Sequence, residues 1–297
     1  MKSIAVGAAL ALVPLMLSAA ACGSAPTPSV TGPAGTTSMP PAPKDSGDTA
    51  AIKAAVASPV RSEQNRKRDV YRHPVETLAF FGVKSDTTVL ELWPGNGWYT
   101  EILAPMLAKK GKLVVTSVDP NGPQDKPAFK AAHDLAERFA AQPDLFGKVQ
   151  VVRIDPPDHF DFGPDASVDL VLTFRSTHDW VRDGVAEKIY ASIFKVLKPG
   201  GTLGVVSHRG KPDADPTPAV VGKTGYLSEK FVIDLVEKAG FKLEAKSEIN
   251  ANPKDVKDYP EGVWTLPPTL RLGDVDKDKW LAIGESDRAT LRFSKPR

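Results

Sequence analysis

Five side chains able to do chemistry follow two apolar runs. Arg175, His178 and Asp179 come after "VDLVLTF" (168–174), and His208 and Arg209 come after "TLGVVS" (202–207). Histidine titrates near neutral pH and can take a proton from an acceptor, with Asp179 fixing the ring tautomer. Arg175 and Arg209 can hold a carboxylate or phosphate through paired N–H donors. A metal set of His178, Asp179 and His208 is a further reading. Against it, adjacent residues rarely aim at one point and two arginines repel a cation, so no metal is expected. The plainest reading has these side chains pairing with one another at strand ends.

A second group lies upstream, in "ELWPGNGWYT" (91–100) and after two later apolar runs. Gly95 and Gly97 let the backbone approach a ligand and turn into a helix, whose first N–H groups are free to donate. Asp119 ends "KLVVTSV" (112–118), 28 positions beyond Glu91, and Asp155 ends "KVQVVRI" (148–154). Plainer readings stay open. The glycines suit any strand-to-helix turn, and Asp119 and Asp155 suit turn acids before Pro120 and Pro156. Glu91 sits inside an apolar strand, where a lone carboxylate is costly, so it is expected to have a designated partner.

Alternating elements position both groups. Strands are expected at 88–93, 112–118, 148–154, 168–174 and 202–207, with helices at 98–109, 128–141 and 184–197. A helix capped by Ser228 runs to 239, with Phe231, Val232, Leu235, Val236 and Ala239 on one stripe. Strands at 241–250 and 288–294 follow. Such alternation gives a parallel, doubly wound α/β sheet, and ligands bind beyond its carboxyl strand ends. A helical segment at 52–82, broken near Pro74, precedes the sheet. Residues 251–287 form a connection long enough to act as a lid.

The chain has 297 residues, 41% hydrophobic and 25% charged, with a net charge of +2. That balance argues against nucleic acid as a partner and leaves a small molecule. Lys2, an apolar stretch at 4–17 and small residues before Cys22 describe an export signal. Cys22 is the single cysteine, so no internal disulfide forms. Its place resembles the lipid-accepting residue of bacterial lipoproteins, with plain secretion after cleavage near Ala21 as the alternative. Residues 23–50, rich in Pro, Ser, Thr, Gly and Ala, read as a disordered tether of about 30 Å. A periplasmic or envelope-anchored protein is expected, touching membrane only through a lipid on Cys22. The folded domain is expected over 51–297.

With these residues in view, the chain resembles the class I S-adenosylmethionine-dependent methyltransferases from about 78 to 295. The resemblance rests on "VLELWPGNG" (89–97), "VD" (118–119), "ID" (154–155) followed by "PDASVDLV" (164–171), and "LKPGGTL" (197–203). The first departs from the family pattern at Trp93, which stands where a glycine is usual. More narrowly, "FFGV" (80–83) and "ELWPGNGWYTEILAP" (91–105) resemble a group of exported methyltransferases. The resemblance implies a Rossmann-like seven-stranded sheet, mostly parallel with an antiparallel last strand and helices on both faces. It implies S-adenosylmethionine as cofactor, held by a turn of Trp93, Gly95, Asn96 and Gly97. Glu91 would orient the loop or the cofactor's amino-acid end, Asp119 would hold the ribose and Asp155 the adenine amino group. His178, Asp179, Arg175, His208 and Arg209 then face an unidentified small acceptor with room for an anionic group. Two other functions fit the same residues: an anion-binding protein on this fold that transfers no methyl, and a structural envelope lipoprotein.

Overall fold

The computed structural model describes residues 48–297. The expected signal, Cys22 and the tether as far as residue 47 lie outside the described residues; the last residues assigned to the tether are ordered instead, with Asp48 capping α1 from Thr49. Four helices lead in: α1 (Thr49–Val56), α2 (Glu63–Arg66), α3 (Asp69–Arg72) and α4 (Pro74–Phe81). The expected break near Pro74 is a left-handed His73 (φ 41°) with Pro74 opening α4, where its missing N–H costs nothing.

The sheet and its helices run β1 (Thr88–Leu92), α5 (Thr100–Leu107), β2 (Lys112–Ser117), α6 (Pro127–Ala141), α7 (Pro143–Phe146), β3 (Gln150–Arg153), β4 (Val168–Phe174), α8 (Thr177–Arg182), α9 (Ala186–Val196), β5 (Leu197–His208), α10 (Pro218–Thr224), α11 (Glu229–Lys238) and β6 (Lys242–Ser247). A 3₁₀ turn (Gly262–Thr265), α12 (Lys277–Ile283) and β7 (Arg288–Ser294) complete the chain. The strand order is β3-β2-β1-β4-β5-β7-β6. β7 runs antiparallel to both of its neighbours, and the other pairs are parallel. The expected mostly parallel seven-stranded sheet with an antiparallel last strand is therefore present.

Strand alternation divides the core. Val89, Leu170, Leu172 and Val206 face one side with Leu78, Phe81, Ile102 and Leu103. Leu90, Leu92, Val171, Leu203 and Val205 face the other with Ile189, Ile193, Val232 and Val236. Successive strand side chains point to opposite faces, so strands covered by helices on both faces need continuous apolar runs. Ser228 caps α11 as expected, its side chain accepting from Phe231 N.

Some elements differ from expectation. Trp98 and Tyr99 belong to the turn, and α5 starts at Thr100. His178 and Asp179 lie on the short helix α8 rather than on an extended strand end. Within 251–287 the chain forms the 3₁₀ turn and α12. Among the described residues no helix is long and apolar enough to cross a membrane.

Candidate functional site

In the strand order, β1 lies between β2 and β4, so the chain reverses its winding there. Beyond those carboxyl ends lies a cleft of about 620 Å³, within the range of small-molecule sites. Trp93, Gly95 and Asn96 line it after β1, Thr116 to Val118 at the end of β2, and Ile154 after β3. Phe174 to Ser176, His178, Asp179 and His208 line it from β4, α8 and β5. The leading helices add Arg68 and Arg72, and the 251–287 segment adds Trp264, Pro267, Pro268, Glu285 and Ser286.

The turn after β1 is built for close approach. Gly95 (φ +57°) has nothing within 4 Å of where a side chain would begin, and Gly97 (φ +75°) sits 3.1 Å from Leu135 Cδ1 by the same measure. A Cβ at Gly95 would therefore enter open space, and the residue lines the cleft. Glu91 is 1% exposed and accepts from Thr100 Oγ1 at 2.7 Å, which is the partner expected for it. Burial pushes its pKa up to about 7, against the lowering effect of that hydrogen bond. The Asn96 carbonyl accepts from Arg138 Nη1 at 2.7 Å, and Arg138 also pairs with the buried Glu101.

Trp93 also has a left-handed backbone (φ 47°), and its N–H donates to Thr116 Oγ1 at 2.9 Å. Its ring lies 5.0 Å from Trp180, 6.3 Å from Phe160 and 6.4 Å from Phe162. The indole at the expected glycine position is thus drawn into an aromatic group. Asp119 and Asp155, expected at the cofactor site, stand exposed just past β2 and β3 and do not line the cleft, whose walls there are Val118 and Ile154. Asp119 Oδ1 accepts from Asn121 N at 2.9 Å, and Asp155 pairs its backbone with His159.

At the other end, the His178 and His208 rings meet edge to face at 5.2 Å. His208 Nδ1 is 2.6 Å from Ser286 Oγ, which leaves Nε2 as the ring's open position. Burial, and then His178 beside it, hold the His208 pKa well below the ordinary value. Burial also lowers His178, against the pull of Asp179. Burial therefore keeps both rings neutral at physiological pH and makes each a weaker base than a free histidine. His178 Nε2 lies 3.5 Å from Asp179 Oδ2, but the short contact of Asp179, 2.6 Å, is to Arg182.

The structure separates Arg209 from Arg175. Arg175 lines the cleft, whereas Arg209 is committed to Asp287 at 2.8 Å, Glu248 at 2.6 Å and Glu229 at 3.4 Å. It lies outside the lining residues and ties β5 to α11 and to the residues just before β7. The reason is strand alternation: His208 turns into the cleft, so its neighbour turns away. Arg68, Arg72, Glu285, Ser286 and Arg288 were missing from the sequence reading. Arg68 and Arg72 are four apart, which places them on one face of a helical segment. Glu285-Ser286-Asp287-Arg288 is a polar run at the head of a strand. Those were the available signals. Among the described residues no three His, Cys, Asp or Glu side chains gather as a metal group.

The strand order and the cleft at the switch point define a Rossmann-like methyltransferase fold. Residues 90–205 match the family profile of a methyltransferase domain. The sterol 24-C-methyltransferase erg-4 of Neurospora crassa is 32% identical over 136 residues, which are 46% of this chain and 31% of that protein. This chain thus spans about a third of that relative's length. A proposed sarcosine dimethylglycine methyltransferase from Galdieria sulphuraria superposes with a TM-score of 0.50 at 14% identity, over 78% of this chain and 88% of that one. A SAM-dependent methyltransferase from Aquifex aeolicus gives 0.47 at 23% identity, over 68% and 93%. The family match covers residues 90–205 of this chain, and the cofactor that a methyltransferase domain of this kind uses is S-adenosylmethionine. The residues present fit it: the open cradle at Gly95, the buried Glu91 behind the turn, and acids past β2 and β3.

Proposed function

We propose that the protein is an S-adenosylmethionine-dependent methyltransferase acting on a small acceptor. The cofactor would lie along the ends of β1, β2 and β3, and the acceptor at the ends of β4, β5 and β7. The observation that carries this reading is the Gly95 cradle opening onto a switch-point cleft whose far end holds two neutral histidines. The cofactor's sulfonium supplies an already activated methyl group. The chain's own work is then to position the acceptor and to receive its proton. His208 Nε2 is the group proposed to take that proton, with Ser286 orienting the ring and His178 beside it. Asp119 is proposed to hold the ribose and Asp155 the adenine amino group, each from its exposed position at a strand end. The basic and apolar start, with Cys22 after small residues, supports export and an envelope-anchored site of action as part of the same proposal.

Calorimetric titration with S-adenosylmethionine and S-adenosylhomocysteine tests the reading. Saturable heat with a matching rise in thermal midpoint is expected, and Asp119→Ala should abolish most of it. Silence in both measurements at millimolar ligand would sink the proposal.

A further inference from the structure

Between the Trp98–Tyr99 turn and the ends of β4 and β5 the cleft holds more positive charge than it pairs. Four guanidinium groups act on one carboxylate, Glu285. Arg68 Nε reaches it at 2.8 Å, Arg72 Nε at 3.1 Å and Arg288 Nη1 at 3.2 Å. Arg288 spends its other donors on the carbonyls of Ser286 and Tyr71. Arg175 has no side-chain hydrogen bond or ion pair among the described residues, yet it lines the cleft. Nη2 of Arg68 and Nη2 of Arg72 are buried without an acceptor. Arg72 is 2% exposed, and its guanidinium is fixed over the Trp98 ring at 4.7 Å.

Buried guanidinium groups are costly unless each finds an anion. The shortage is felt here: burial and the nearby Arg175 charge push the Arg72 pKa down to about 9, and burial takes Arg175 to about 10. Planar guanidinium forks are suited to paired bonds with a carboxylate or phosphate. Trp264, Pro267 and Pro268 line the same cleft and offer an apolar surface to the carbon body of such a ligand.

We propose that the acceptor is an anion, a small molecule whose carboxylate or phosphate group is gripped by Arg72 and Arg175 near His208. That the anion is the methyl acceptor rests on the methyltransferase reading; that an anion binds does not. The same arginines would have a different task if they held the carboxylate of the cofactor's own amino-acid end, so the test must separate the two.

The full chain, saturated with S-adenosylhomocysteine, is titrated with inorganic phosphate and, separately, with malonate. Saturable binding of at least one anion is expected. Arg175→Gln should weaken it about 10- to 100-fold, the loss of one charge-assisted contact. Its affinity for S-adenosylhomocysteine should change by less than about three-fold. Arg72→Gln should repeat the result; because Arg72 also holds Glu285, Arg175→Gln keeps the test readable should that variant misfold. 5′-Methylthioadenosine lacks the amino-acid carboxylate. If Arg175→Gln weakens S-adenosylhomocysteine but not methylthioadenosine, the arginine serves the cofactor and the proposal falls. It falls also if neither anion binds the wild-type chain. If S-adenosylhomocysteine fails to bind while anion binding persists and needs Arg175, the methyltransferase reading fails and the anion site stands.

Discussion

The two ends of the cleft are built on opposite plans. At the proposed cofactor end the two acids past the strands are exposed and local: Asp119 and Asp155 each follow a strand directly, while Glu91 alone is buried behind the Gly95 turn. At the proposed acceptor end Arg72, Glu285 and Arg288 are buried, Arg68 and Arg175 are half-buried, and the groups come from segments far apart in the chain. Glu285, 3% exposed, bonds Arg68 and Arg72 from more than 200 positions away. An exposed acid is screened by water and costs little to keep or lose. A buried one partnered by several cations is bound into the fold. The exposed acids Asp119 and Asp155 should therefore respond to mutation in affinity, and the buried Glu285 cluster in stability as well.

The largest effect should come from Glu285→Ala. It leaves Arg68, Arg72 and Arg288 without their carboxylate, and breaking a buried pair costs about 3–5 kcal/mol. Denaturant unfolding checks this, with Asp119→Ala expected to stay within about 0.5 kcal/mol of wild type. Equal losses in the two variants would erase the contrast. The pH dependence follows from the same carboxylate. Burial works to raise its pKa, but Arg72, Arg288 and Arg175 outweigh burial and hold it at about 2, below its ordinary 4.5. Its contribution is complete above pH 4.5 and is lost as pH falls toward 2.

Glu91 titrates in the opposite sense. Its folded pKa of about 7 lies above the ordinary 4.5, so the folded state holds the proton more tightly than the unfolded chain. The stability this gives is complete below pH 4.5 and is lost as pH rises to 7. Glu91→Gln keeps a partner for Thr100 and removes the titration. It should flatten the stability curve between pH 4.5 and 7 and exceed wild type above pH 7 by up to about 3 kcal/mol. Thermal midpoints across that range decide it; an unchanged slope would mean that Glu91 is ionised throughout.

At the cofactor end itself, Asp119→Ala and Asp155→Ala should each weaken S-adenosylhomocysteine by about 1.5–3 kcal/mol, the loss of hydrogen bonds to a charged acceptor. Stability should barely move. A carboxylate that serves only its own turn, as Asp119 does toward Asn121 N, would leave affinity intact.

The same contrast explains what the sequence disclosed. The sheet was legible because each strand announces itself: residues 168–174 and 288–294 were expected as strands and are β4 and β7. The turn after β1 was legible as a strand-to-helix turn because its glycines follow the strand within a few positions. The acceptor end was half legible. His178, His208 and Arg175 were expected at strand ends and line the cleft, but Arg209 follows His208 on the other face. Arg68, Arg72 and Glu285 acquire their meaning only by meeting across the fold, and no local pattern specifies that meeting. Trp93 lay between these cases. Its departure from glycine was visible at once, whereas its packing against Trp180 depended on an α8 that no apolar stripe announced.

The finest test of the two-ended cleft is Ser286→Ala. Ser286 Oγ, 2.6 Å from His208 Nδ1, is a positioning contact: it fixes which ring nitrogen is left open toward the acceptor. A neutral hydrogen bond of this kind contributes about 1 kcal/mol, so stability should fall by no more than that. S-adenosylhomocysteine affinity should not change, because the contact lies at the far end from the Gly95 cradle. Turnover with an acceptor, once one is found, should drop about five-fold with KM nearly constant, since the lost order bears on proton removal rather than on binding. The pH–rate profile separates this from simple loosening. A freed ring regains solvent, so the acid limb should move toward the ordinary histidine value of 6.5. Ser286→Thr, which keeps the hydroxyl, should restore the wild-type limb. A cofactor affinity that falls in step with turnover would mean that the two ends are one site, and that the division drawn between them is wrong.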